Sequence, residues 1–254
     1  MKISEMSVEY VDHMGSDKSV VNAARVSFDK LAENYTDEQN EKLISYLAKH
    51  NHWSPFAHAT ISLRIKAPIF VARQLAKSQV GLAWNEVSRR YVDSVPEFWF
   101  PKEWRGKPLN AKQGSSGVVS LEGLGSGYWP EHISDKCLAT YNQLLGYGVA
   151  PEQARMVLPQ NTMTEWIWTG SLYAFARVCN LRLDAHAQQE TQEVAKKISG
   201  IIQPLFPVSW GVLMVNQYAV VAEENEACAK LVEEMVRFVD GVDCVAAIRA
   251  RVKS

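Results

Sequence analysis

The eight residues "ATISLRIK", Ala59 to Lys66, alternate strictly between apolar and polar side chains. Ala59, Ile61, Leu63 and Ile65 point one way, and Thr60, Ser62, Arg64 and Lys66 the other, which is the pattern of a half-buried strand. Pro68 stops it. Helical patterns flank it on both sides. Upstream, "YTDEQNEKLISYLAKH" opens with Thr36 and Gln39 at capping-box spacing and places Leu43, Ile44 and Leu47 on one face. The following "NHWSPFAH" is expected to break that helix at Pro55. Downstream, "IFVARQLAKS" reads as a helix.

Helical texture dominates the rest. Ser134 is expected to cap "DKCLATYNQLLGYG". Pro151 suits the first turn of "PEQARMVL", which Pro159 ends. "GSLYAFARVCNLR" continues the pattern. Asp184 is expected to cap "AHAQQETQEVAKKISGIIQ", with Val194, Ala195, Ile198 and Ile202 on its buried face. "SWGVLMVNQYAVV" reads as strand or helix, and the last helices run through "EACAKLVEEMVRFV" and "DCVAAIRARV". Strands are few and helices many, without regular β-α alternation, so the expected class is α+β. From Phe98 to Trp129 the chain turns Gly- and Ser-rich with little periodicity. That segment reads as a long loop excursion on a single domain spanning 1–254, of a length that suits a lid or an interface arm.

Composition narrows the function. Apolar residues make up 47% of the 254 and the formal net charge is −1. There is no global basic field for nucleic acid, and no apolar run long enough to span a membrane. The N-terminus "MKISEMSVEYVDHMG" carries no secretory h-region, which points to the cytoplasm. Cys137, Cys179, Cys228 and Cys244 form no C-x-x-C pair and sit in apolar helix-like contexts, as buried reduced thiols do.

Four constellations can carry chemistry. In "NEVSRRY", on a helix or a tight turn into one, Glu86 and Arg90 are four apart. They make either a surface ion pair or a phosphate and sugar clamp with Ser88 as a hydroxyl donor. Arg155 stands alone in apolar "PEQARMVLP"; its stem can snorkel to water, or its fork can join a bound anion. In "CNLRLDAHAQ", Arg182 and His186 are four apart, and the histidine is either structural or part of a site. His50, His52 and His58 in "HNHWSPFAH" lack the carboxylate or cysteine that would complete a metal set, so no metal is expected.

These segments, in this order, resemble the flavin-dependent thymidylate synthases. "NAARVSF", "HWSPFAH" with the strand and "KAPIFVARQ", "NEVSRRY", "ARMVLP" and "NLRLDAHAQ" are each similar to a block of that family. One departure stands out. Lys77, Ser78 and Gln79 occupy the place of the family's Arg-His-Arg, and eight residues rather than seven precede Ser88, so one residue is inserted within "VGLAW".

The resemblance implies an α+β subunit with an antiparallel sheet packed against helices, assembled as a homotetramer with shared active sites. It implies reductive methylation of dUMP to dTMP, with methylenetetrahydrofolate as carbon donor and NADPH supplying electrons through FAD. Gln74, Glu86, Ser88, Arg90, Arg155 and Arg182 would then contact the nucleotide, with Arg182 and Ser88 as the catalytic residues. His52, Ser54, Lys77, Ser78, Gln79, Asn85, Glu86, Arg177 and His186 would contact the cofactor. The altered triplet leaves two other readings open: a related enzyme that leaves hydroxymethyl at pyrimidine C5, and a non-catalytic nucleotide-binding homologue.

Overall fold

The computed structural model describes residues 1–92, 94–108 and 114–214. Its elements begin with β1 (Lys2–Ile3), β2 (Ser7–Met14), α1 (Asp17–Arg25), α2 (Asp37–Lys49), α3 (Ser54–Ala57) and β3 (Thr60–Pro68). Next come α4 (Ile69–Leu75), β4 (Leu82–Glu86), β5 (Glu97–Phe98), β6 (Arg105–Gly106), β7 (Ser116–Val118) and α5 (Pro130–Gly146). The described chain closes with α6 (Pro151–Ala154), β8 (Met163–Ser171), α7 (Leu172–Arg182), α8 (Gln189–Ile202) and α9 (Pro207–Leu213). Among the described residues, the largest sheet has the order β2-β3-β8-β4, and β1-β5 and β6-β7 form two small ladders.

β4 and β8 run antiparallel. Val87 N–H donates to Glu165 O (2.8 Å) and Ser171 N–H to Gly81 O (3.1 Å), so numbers rise on one strand as they fall on the other. Gly170 permits the approach, because a Cβ there would lie 2.3 Å from Leu82 Cδ2. The mixed helix and antiparallel-sheet architecture is the α+β class that the sequence pattern implies. The β3 alternation also holds: Ala59, Ile61, Leu63 and Ile65 are fully buried, while Arg64 is exposed.

The chain divides into two compact units, each assembled from separate segments. The first comprises Met1–Glu9, Arg64–Lys77 and Trp84–Trp168. Its core holds Ile65, Val71, Phe98, Tyr141, Trp166 and Trp168. Ionic stitches mark its sheet: Arg64 pairs with Glu165, and Lys2 and Lys66 each bind a different oxygen of Glu97, both at 2.5 Å. Phe98 and Trp99, where the Gly- and Ser-rich stretch begins, are buried; Trp99 N–H donates to Asn161 O (2.9 Å).

The second unit comprises Tyr10–Leu63, Ser78–Ala83 and the chain from Thr169 onward. Here α2 packs on α9, and α7 on α8. Val194, Ala195, Ile198 and Ile202 are all fully buried, as their helical spacing implies. Asp17 accepts from Val208 and Ser209 backbone N–H (3.0 and 2.9 Å), so an α1 carboxylate caps α9.

Several local expectations need correction. The capping box on α2 is present, with Thr36 and Gln39 bonding reciprocally. Its C-terminus, however, is ended by Asn51 rather than Pro55. Asn51 takes φ 55°, its N–H donates to Ala48 O and that of His52 to Leu47 O, which is a Schellman closure. Pro55 instead lies in the first turn of α3. Ser134 does not cap α5, which starts at Pro130; it is buried one turn inside and pairs with Asn161 (3.3 Å). Asp184 caps a turn through His186 N–H (2.8 Å), and α8 starts only at Gln189. "PEQARMVL" divides into α6 and a 3₁₀ turn, because Leu158 before Pro159 is extended. Cys179 is buried, while Cys137 is only half-buried. Cys228, Cys244 and the two last expected helices lie outside the described residues. So does most of "SWGVLMVNQYAVV", whose described start is helical in α9.

Candidate active site

In the first unit, "NEVSRRY" is not helical. Asn85 and Glu86 end the extended β4, and a turn follows in which Tyr91 N–H donates to Ser88 O (3.0 Å). The helical i,i+4 pairing of Glu86 with Arg90 therefore does not arise. Ser88 and Arg90 meet through the turn instead. Ser88 Oγ accepts from Arg90 backbone N–H (3.3 Å) and from Arg90 Nε (3.2 Å). That arrangement engages the Nε of the guanidinium, and neither Nη is bonded to a described residue. No carboxylate among the described residues pairs with Arg90, whose guanidinium lies 4.9 Å from the Tyr91 ring centre. Arg89 braces the same loop by donating to Ser94 O (2.9 Å).

Glu86 takes two neutral donors: Thr164 Oγ1 at 2.6 Å on Oε1 and Trp84 Nε1 at 3.2 Å on Oε2. Gln74 is half-buried near the end of α4, and Lys77 is exposed just beyond that helix. Arg155 is exposed after α6, its Nε donating to Glu152 O (3.2 Å), so it does not snorkel from a long helix, and no acid side chain among the described residues pairs with it.

In the second unit a cavity of about 170 Å³ opens among α2, α3, α7 and α9. His52, Trp53, Tyr173, Arg177 and Asn180 line it. The Schellman closure of α2 places His52 there. On α7, begun by Ser171 accepting from Ala174 N–H, Tyr173, Arg177 and Asn180 recur at helical spacing along one stripe. The Trp53 and Tyr173 ring centres are 6.3 Å apart. Asn180 is tied to Leu213 O (2.7 Å). Sequence reasoning named His52 and Arg177 and missed Trp53, Tyr173 and Asn180; the i, i+4, i+7 stripe on "LYAFARVCNLR" was the signal that could have found two of them.

The other expected residues of this unit spread wider. Ser54 opens α3 and is exposed. Ser78 and Gln79 enter a tight turn, where Leu82 N–H donates to Gln79 O (3.1 Å) and Gly81 takes φ 78°. Of "VGLAW", Val80 and Gly81 belong to this turn, and Leu82, Ala83 and Trp84 already belong to β4. His186 is exposed and binds Asp184 Oδ1 through Nδ1 (3.0 Å). Arg182 ends α7 half-buried, and burial holds its guanidinium below the ordinary arginine value. Burial also pushes the Cys179 thiol up, which argues against an activated thiolate there.

The described residues thus present an arginine turn in one unit and a cavity lined by aromatic side chains in the other, within an α+β chain. The profile of the family described as "Thymidylate synthase complementing protein" matches residues 9–208. The chain is 37% identical over 211 residues to the flavin-dependent thymidylate synthase of Thermotoga neapolitana, covering 83% of this chain and 92% of that protein. It is 36% identical over 225 residues to the enzyme of the same name from Kosmotoga olearia, covering 87% and 95%. Among solved structures it is similar to the UMP/dUMP methylase PolB from Streptomyces cacaoi bound with 5-Br UMP. There the TM-score is 0.74 and the identity 28%, over 85% of this chain and 97% of that one. The chain belongs to the thymidylate synthase complementing protein family.

Proposed function

We propose that this chain catalyses the reductive methylation of dUMP to dTMP, taking its carbon from methylenetetrahydrofolate and its electrons from NADPH through FAD. Family membership supports the reaction, and the likeness to a UMP/dUMP methylase supports the substrate class. The observation that carries it is the Ser88–Arg90 turn, which orients a guanidinium that no carboxylate among the described residues pairs with. A planar fork of this kind suits a phosphate dianion. Gln74, Glu86 and Arg155 would join it around the nucleotide.

The cavity tests whether the chain fits a flavin. At about 170 Å³ it falls below the roughly 300–1,000 Å³ of whole-ligand sites, so it suits one ring system of a dinucleotide. Trp53 and Tyr173 offer aromatic faces, and Arg177 a cation. These residues fit. His52 and Arg177 would hold FAD there, with Ser54, Ser78, Gln79 and His186 of the same unit contacting the rest of it; the family resemblance also gives Lys77, Asn85 and Glu86 as cofactor contacts. When bound, FAD supplies the electrons that reduce the transferred carbon.

Arg182 would act on the pyrimidine itself, as a fixed cation where negative charge develops when C5 becomes nucleophilic. Ser88 would keep Arg90 in register during that step. The reading extends to a single family domain over 1–254, to a homotetramer with shared sites, and to the cytoplasm.

The test is product analysis. Protein given dUMP, methylenetetrahydrofolate, NADPH and FAD should yield a nucleotide heavier by one CH₂, and should retain flavin absorbance after desalting. A product carrying an extra oxygen, or no product with no bound flavin, would overturn the reading.

A further inference from the structure

The geometry points to Thr164 and Trp84 as positioning residues that fix the Glu86 carboxylate to receive an O–H or N–H donor of the bound nucleotide. This rests on the preceding reading of Glu86 as a nucleotide contact. Three carboxylates on or beside the sheet of the first unit differ in what holds them. Glu165 is paired with Arg64, and Glu97 with two lysines. Glu86 has no cationic partner among the described residues. Its two oxygens each accept from one neutral group, Thr164 Oγ1–H on one and Trp84 Nε1–H on the other.

Two neutral donors on different oxygens set the plane of a carboxylate without cancelling its charge. About half of its lone-pair sites remain, and the residue is exposed, so those sites are open to a ligand. The donors are themselves held. Trp84 lies two residues before Glu86 on β4, hence on the same face. Its ring stacks on Trp166 at 4.2 Å and 17°, and meets Trp168 edge-on at 5.4 Å. Both partners are buried, so the indole cannot swing and its N–H direction is fixed. Thr164 stands two before Trp166 on β8, on the same face again. β-branching restricts its χ1 and thus its hydroxyl. A sheet edge built only for stability would gain as much from a cation on Glu86; leaving the charge unpaired while fixing its orientation suits recognition.

The experiment is a double-mutant cycle on the FAD-loaded protein, reading dUMP affinity by calorimetry. Thr164→Val should weaken dUMP binding about three- to tenfold, less than the full loss of a hydrogen bond to a charged group, because the carboxylate keeps its charge and loses only its fixed plane. Thr164→Ser should restore affinity to within about twofold, and Trp84→Phe should weaken it by less than Thr164→Val. In a Glu86→Gln background, Thr164→Val should add nothing further. The ¹⁵N–¹H signal of the Trp84 indole should also shift in Glu86→Gln without any nucleotide present. The inference fails if Glu86→Gln weakens dUMP but Thr164→Val does not, or if the Thr164→Val effect persists undiminished in Glu86→Gln. If Glu86→Gln leaves dUMP affinity unchanged while the indole signal shifts, the bracket is real, but the placement of Glu86 at the nucleotide fails, and the positioning role with it. Should Thr164→Val not fold, Trp84→Phe within the same cycle decides the matter.

Discussion

The two units hold their candidate groups in different ways. In the first, the arginine fork stands on a turn after the edge strand β4, held by Ser88 Oγ, which accepts from Arg90 N–H and Nε, while the Trp84 indole holds Glu86. Charges also stitch the surrounding sheet, through Glu165 and Glu97. In the second, the cavity is walled by side chains on helices, whose positions follow from apolar packing of α7 on α8 and α2 on α9. A turn can present donors to a small anion at low cost, because few atoms must be aligned. A flat ring needs walls that do not move, and packed helices provide them. The contrast predicts that damage to one region should leave the ligand of the other largely unaffected.

Arg182→Ala carries the largest expected effect. If a fixed cation stabilises developing charge on the pyrimidine, kcat should fall by about 10²–10³-fold, the usual loss for one such donor. The circular dichroism spectrum should stay unchanged, since the side chain is only half-buried at the end of α7. A near-normal rate would remove Arg182 from the chemistry.

A crossed pair of variants sharpens the comparison. Arg90→Ala should raise the dUMP dissociation constant by roughly 10–100-fold, the loss of charge-assisted bonds, with FAD affinity kept. Tyr173→Ala should do the reverse, weakening FAD about three- to tenfold through a lost aromatic face while dUMP binding persists. Both constants can be read by titration of tryptophan fluorescence and flavin absorbance. If each variant weakened both ligands equally, the two regions would be acting as one site.

Legibility in the sequence followed the range of the forces involved. The β3 alternation, the α2 capping box and the apolar stripe of α8 are local patterns, and each reads correctly from a few residues. What ended α2 was less legible: an asparagine in a left-handed conformation competes with a proline as a stop signal, and here the asparagine acts first. Ser134 reads as a cap, yet its hydroxyl is engaged by Asn161, which is 27 residues away. Ser88 and Arg90 were nameable as a pair, but the helix suggested for them was not formed, because β4 continues through Glu86 and pairs with β8. Thr164 was invisible. Its role depends on which strand lies beside β4, and nothing in "MTEWIWTGS" alone states that.

The smallest effect concerns the stitching itself. Hydrogen bonds from Lys2, and next from Lys66, hold the Glu97 carboxyl down at about 2 from its ordinary 4.5. A carboxyl whose folded value is depressed adds stability that is fully present above the unfolded value. That stability is lost as pH falls from about 4.5 toward 2. Glu97→Gln should therefore lower the melting temperature slightly at pH 7 and flatten its decline between those two values. Solvent screening of these partly exposed lysines keeps the change small. In the helical unit apolar packing dominates, with Val194, Ala195, Ile198 and Ile202 fully buried. Hydrogen exchange at pH 3 should accordingly show β1 and β5 losing protection before α7 and α8 do. Simultaneous loss in both would mean that ionic stitching and apolar packing do not distinguish the two regions after all.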